Sequence, residues 1–170
     1  MKILPPMTDL KLIALDAEDL GVVSAHLQDA VFTVEDMAYL PRERRFALVL
    51  NRFDWEETLA GGRRAKRNRR RRTALRFDRV TAARLQKIDL KARDRVLSLL
   101  TIGFEPGVPP AGTVTLLFAG GAAIGLDVEC IEAELRDLGA VWSTKSRPDH
   151  GGPDDGSPVQ GKDDPASGKR

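Results

Sequence analysis

Apolar and polar side chains change period several times along this chain, and each change marks an element. Leu10, Leu12 and Ala14 interleave with Lys11, Ile13 and Leu15, which predicts a short strand apolar on both faces. Asp16 follows as a helix N-cap, with Glu18 and Asp19 in the first turn, where the helix dipole favours negative charge. Leu20, Val23, Leu27 and Ala30 then recur at helical spacing, so residues 17–30 read as one amphipathic helix. Val31 to Leu40 and Phe46 to Trp55 read as strands joined through Pro41-Arg42-Glu43. Leu75 and Phe77 alternate with Arg76 and Asp78 in a half-exposed strand. Val96 to Glu105 forms another, with Leu100, Ile102 and Phe104 on one face, and it stops at Pro106-Gly107.

The segment from Gly112 to Glu129 predicts a hairpin whose register the burial pattern selects. A two-residue Gly120-Gly121 turn would mix polar and apolar groups on each face. A three-residue loop, Ala119-Gly120-Gly121, pairs Phe118 with Ala122, Leu116 with Ile124 and Val114 with Leu126, giving one wholly apolar face. Gly121 then takes the left-handed position. Ile131, Leu135, Leu138 and Trp142 fall on one stripe before Gly139 and the polar end, which predicts a final helix. The order is strand, helix, about six antiparallel strands, helix, so an α+β fold is expected rather than a doubly wound parallel sheet. A curved antiparallel sheet or partly open β-barrel satisfies the burial, with one N-terminal helix and one C-terminal capping helix. That order is similar to a pleckstrin-homology barrel.

Charge changes the picture at one place. The net charge is +2, but Arg63, Arg64, Lys66, Arg67, Arg69, Arg70, Arg71 and Arg72 supply eight of the 27 basic residues. The rest of the chain holds 19 basic against 25 acidic side chains, so the body is acidic and the positive charge is local. Gly61-Gly62 precede the run, and residues 59–72 read as a basic loop between two strands. Residues 1–8 read as an extended N-terminus, 9–144 as a single domain, and 145–170 as a disordered tail of Gly, Pro, Asp, Ser and Lys. Cys130 is the lone cysteine, which excludes an intramolecular disulfide, and no stretch approaches the roughly 20 apolar residues of a membrane span. A cytoplasmic location is expected.

Several segments carry a family resemblance. Leu10-Lys11-Leu12-Ile13-Ala14-Leu15-Asp16-Ala17-Glu18-Asp19-Leu20, Leu27-Gln28-Asp29-Ala30 and Arg44-Arg45-Phe46-Ala47-Leu48-Val49-Leu50-Asn51-Arg52-Phe53-Asp54-Trp55-Glu56 belong together with Leu75-Arg76-Phe77-Asp78 and Val128-Glu129-Cys130-Ile131-Glu132-Ala133. They resemble an uncharacterised alphaproteobacterial family, the domain of unknown function numbered 2948, over residues 9 to about 148. The resemblance implies a bacterial cytoplasmic protein and no catalytic residue or cofactor.

The candidate chemistry is a short set. Clustered arginines beside glycines can follow phosphates and release counterions, and the stretch from Arg63 to Arg72 can reach roughly 35 Å when extended. No aromatic residue interleaves with them, so the contact would be largely independent of sequence. The competing reading is a solvated loop, or one folded back on the acidic body. His26 lies beside the apolar helix stripe and His150 lies in the tail, too few for a histidine metal site. Ser24 lacks a nucleophile-elbow setting. Cys130 reads as a buried small hydrophobe, with Glu129 and Glu132 opposing an activated thiolate. Asp54 with Glu56, and Asp127 with Glu129, share strand faces but read as solvated acids. Phe53 and Trp55 either close the core at the base of the basic loop or anchor a protein partner. The expectation is a non-catalytic module contacting a polyanion, with RNA or a ribonucleoprotein ahead of a membrane surface. The rival is a protein–protein adaptor or structural subunit. No cofactor or metal is expected.

Overall fold

Period-two alternation dominates the chain far more than the sequence reading allows. The computed structural model describes residues 9–54, 69–139 and 142–143. Among them lie β1 (Lys11–Ala14), α1 (Ala17–His26), β2 (Val31–Thr33), β3 (Met37–Leu40), β4 (Arg45–Asp54), β5 (Arg69–Phe77) and β6 (Val80–Gln86). These are followed by β7 (Val96–Pro106), β8 (Gly112–Phe118), β9 (Ala123–Val128), β10 (Ala133–Asp137) and β11 (Trp142–Ser143). Every pairing is antiparallel, in the order β1-β10-β5-β4-β2-β7-β8-β9-β6, with β11 also on β5 and β3 also on β4. β1 and β6 end the path without pairing to each other, so the barrel is not closed. β7 joins the two halves, pairing with β2 through Val96–Ser98 and with β8 from Leu99 onward.

The inner faces share one apolar core, with Phe46, Leu48 and Leu50 of β4 facing Leu75 and Phe77 of β5, and Val114, Leu116 and Phe118 of β8 facing Ile124 and Leu126 of β9. Phe32 meets Phe118 edge-on, with ring centroids 5.4 Å apart, a favoured aromatic geometry. The β8–β9 hairpin has the three-residue connection and the register that its apolar face predicts, with Val114 opposite Leu126 and Leu116 opposite Ile124. The turn holds both Gly120 and Gly121 at positive φ, a conformation that other residues adopt only with strain.

α1 starts where predicted, with the Asp16 carboxylate accepting from the Asp19 N–H at 2.8 Å. It stops at His26, short of the expected Ala30, because Asp29 takes a left-handed φ of 64° and donates its N–H to the Leu99 carbonyl at 2.8 Å. Leu20, Val23 and Leu27 seal the core from this helix. The expected strand from Val31 to Leu40 is broken by a 3-10 turn at Val34–Asp36. In β7 the register shifts between Leu99 and Thr101, so Leu97, Leu99 and Ile102 point inward. Leu100 therefore leaves the face it was expected to share with Ile102. Ser24 stabilises that irregularity, its Oγ accepting from the Ile102 N–H at 2.9 Å.

The expected C-terminal capping helix is absent, and the fold class is corrected with it. α1 is the only α-helix among the described residues, and the segment read as a second helix is β10 followed by β11. The pleckstrin-homology likeness rested on that helix and falls too. The physical reason is parity: Ala133, Leu135 and Asp137 are buried while Glu134 and Arg136 face outward, a period of two. Leu138, assigned to the helical stripe, is half exposed. No helix of the described residues is long and apolar enough to cross a membrane. The expected N-terminus 1–8, the tail 145–170 and residues 59–68 of the expected basic loop lie outside the described residues.

Tight packing between β7 and β8 gives a direct check on this register. A Cβ on Gly112 would collide with the Phe104 ring and the Glu105 carbonyl oxygen, whereas one on Gly103 would meet nothing within 4 Å. Gly112→Ala should therefore lower stability to urea by about 1–3 kcal/mol, while Gly103→Ala leaves it unchanged or slightly raised.

Candidate polyanion interface

The basic run does not behave as one unit, because its last four arginines are strand residues. β4 and β5 form a continuous ladder in which Asp54 faces Arg69, Phe53 faces Arg70, Arg52 faces Arg71 and Asn51 faces Arg72. Successive strand side chains point to opposite faces, so the ladder sorts neighbouring arginines. Arg71 turns into the protein and Arg72 turns out.

Inside, Arg71 and Arg52 converge on one carboxylate. Asp137 accepts from Arg52 in a two-pronged pair, Nε to Oδ1 at 2.9 Å and Nη2 to Oδ2 at 2.8 Å. Arg71 Nη1 donates to Asp137 Oδ2 at 3.1 Å, and the Thr73 hydroxyl donates to Oδ1 at 2.8 Å. The Leu10 N–H reaches Oδ2 at 2.8 Å, while the Asp137 N–H donates back to the Leu10 carbonyl at 2.9 Å. The side chains are nearly sealed, with 0% of Asp137, 3% of Arg71 and 6% of Arg52 exposed. Asp9, largely exposed, lies 3.4 Å from Arg71 Nη1 and brings a second negative charge to the pair of guanidiniums. Burial pushes the Asp137 carboxyl up, but hydrogen bonds from Arg52, the Leu10 N–H and Thr73, with the charge of Arg52, outweigh it and hold the group at about 2.

Outside, the Arg70 guanidinium lies 4.7 Å over the centre of the half-buried Phe53 ring, a cation–π stack. Arg72 is exposed, and its backbone carbonyl accepts from the Leu138 N–H at 2.8 Å. Of the residues singled out from sequence, Trp55, Glu56, Arg63, Arg64, Lys66, Arg67 and His150 lie outside the described residues, and Arg69 is placed as the ladder partner of Asp54 and Ser143. Arg71 is committed to the interior. The loop expected over 59–72 therefore ends before Arg69.

The other candidates settle into structural positions. Asp127 accepts from Arg84 Nη2 at 2.7 Å and from Thr113 at 3.0 Å, and the Arg84 hydrogen bond holds its carboxyl below the ordinary range despite some burial. Glu129 is engaged by Arg44 and Arg79. Cys130 is half-buried between β9 and β10, and His26 closes α1. Asp137 is the residue the sequence reading missed. Its signal was its place two positions after Leu135 and four after Ala133, visible once that segment is read as a strand.

A family model described as "Protein of unknown function (DUF2948)" matches residues 10–150. No curated protein and no solved structure matches the chain.

The buried cluster makes two expectations quantitative. Asp137→Asn leaves two interior guanidiniums without their anion, and should cost about 3–5 kcal/mol in chemical denaturation at neutral pH. Because the folded carboxyl lies at about 2 against an ordinary 3.8, its contribution is complete above pH about 4 and is lost as pH falls toward 2. In wild type this should appear as a loss of about 2 kcal/mol across that window, absent from Asp137→Asn.

Proposed function

The chain belongs to the DUF2948 family, whose description assigns no chemistry, and from that premise we propose that it is a non-catalytic module contacting a polyanion, RNA or a ribonucleoprotein, in a bacterial cytoplasm. The contact is made by the arginine-rich segment between β4 and β5. One observation carries this reading: Arg63, Arg64, Lys66 and Arg67 are strung between two register partners, Asp54 and Arg69, of a hairpin whose stem is locked to the core through Arg52, Arg71 and Asp137. Such an arrangement ties both ends of the cationic segment to a rigid base. Clustered guanidiniums supply attraction and on-rate to phosphates through counterion release.

The rival, a protein adaptor built on Phe53 and Trp55, has less support. Phe53 is half-buried and stacked against Arg70, which suits a buttress of the hairpin better than a protruding anchor.

The test replaces Arg63, Arg64, Lys66 and Arg67 together by Ser in the full chain and measures affinity for a uridine homopolymer by fluorescence anisotropy at two salt concentrations. The wild-type log–log salt slope should be steeper than the variant's by up to about 3, since each neutralised phosphate of a single strand adds about 0.7. Equal affinity and equal slope would end the reading.

A further inference from the structure

The outward face of β1, β10, β5 and β4 carries a second cationic surface, separate from the segment between the strands. Lys11 faces Arg136, Arg136 faces Ala74, and Arg72 lies two residues from Ala74, so Lys11, Arg136 and Arg72 share this face. All three are exposed, and among the described residues none has a carboxylate within ion-pair distance. Arg70 follows two residues beyond Arg72, over the Phe53 ring. Glu134, two residues before Arg136 on the same face, is taken by Arg76 at 3.0 Å. Leu138, 50% exposed, continues the row of Asn51 and Arg72 and sets an apolar side chain among the cations.

We propose that this sheet face binds single-stranded RNA, with Lys11, Arg72 and Arg136 on the phosphates and Leu138 with the Arg70–Phe53 stack beneath the bases. The assignment rests on the polyanion reading above and extends it from the hairpin segment to the sheet. Charge complementarity selects a phosphate backbone, since the two inner arginines meet the carboxylates of Asp137 and Asp9 and these outer ones meet none among the described residues. Shape favours a single strand: four strands give a surface roughly 15 Å wide, on which an unpaired strand can lie with its bases down, and the described residues of this face hold no helix to enter a duplex groove. Flat side chains with interspersed cations are the means by which proteins hold unpaired bases.

The experiment uses full-length Lys11→Ser/Arg72→Ser/Arg136→Ser beside the four-residue segment variant and wild type, titrated with a labelled uridine homopolymer. The sheet variant should bind roughly tenfold or more weakly, with its salt slope lower by about 2, and should melt as wild type does. Lys11→Arg/Arg72→Lys/Arg136→Lys should keep the wild-type slope, which separates the effect of charge from that of altered folding. If the sheet variant binds like wild type while the segment variant binds more weakly, the sheet site is wrong and the hairpin reading stands. Weaker binding by the sheet variant alone would leave this face as the site and remove the hairpin. RNA duplex bound as tightly as the homopolymer, or anionic phosphatidylglycerol vesicles bound in its place, would overturn the single-strand assignment. No binding by wild type would end both.

Discussion

One buried carboxylate holds two guanidiniums at the end of the sheet, and the rest of the molecule is arranged around that constraint. A charged arginine in an apolar interior is too costly to persist unless an anion with good geometry meets it. Asp137 meets Arg52 on two prongs and Arg71 on one, with Thr73 and the Leu10 N–H completing its acceptors. These partners come from β4, β5, β10 and the approach to β1, so a single side chain fixes the mutual register of four neighbouring strands. A shift of one residue in β5 would turn Arg71 outward and bring Arg70 or Arg72 against Asp137 in a different geometry.

That constraint also divides the positive charge. The arginine run enters β5 at Arg69, and strand alternation sends Arg71 to the core while Arg70 and Arg72 remain on the surface. What remains outside is a cationic sheet face next to the base of a cationic segment, on a chain whose other charges lean acidic. The proposed function follows from that asymmetry rather than from any catalytic arrangement. Among the described residues, the carboxylates that share strand faces, Asp127 and Glu129, are tied to arginines in surface pairs.

Legibility followed the physics of each segment. The β8–β9 hairpin was readable because one register alone makes its face wholly apolar, and α1 began where Asp16 announced it. β10 was not, because five residues with two outward charges also satisfy a helical stripe when Ile131 and Leu138 flank them. Strand pairing with β1 and β5, a long-range effect, decided it. β6 escaped notice because its burial pattern fades from Val80 to an exposed end at Gln86. For the site, arginine density was visible, but the separation of Arg71 from its neighbours was not, since it depends on Asp137 sixty-six positions away.

Arginine footprinting with a dicarbonyl reagent, read by mass spectrometry with and without a uridine homopolymer, tests the division of charge directly. Arg52 and Arg71 should resist modification, Arg72 and Arg136 should react, and RNA should protect the latter two. Arg71 reacting as fast as Arg72, or RNA protecting none of the outer arginines, would contradict it.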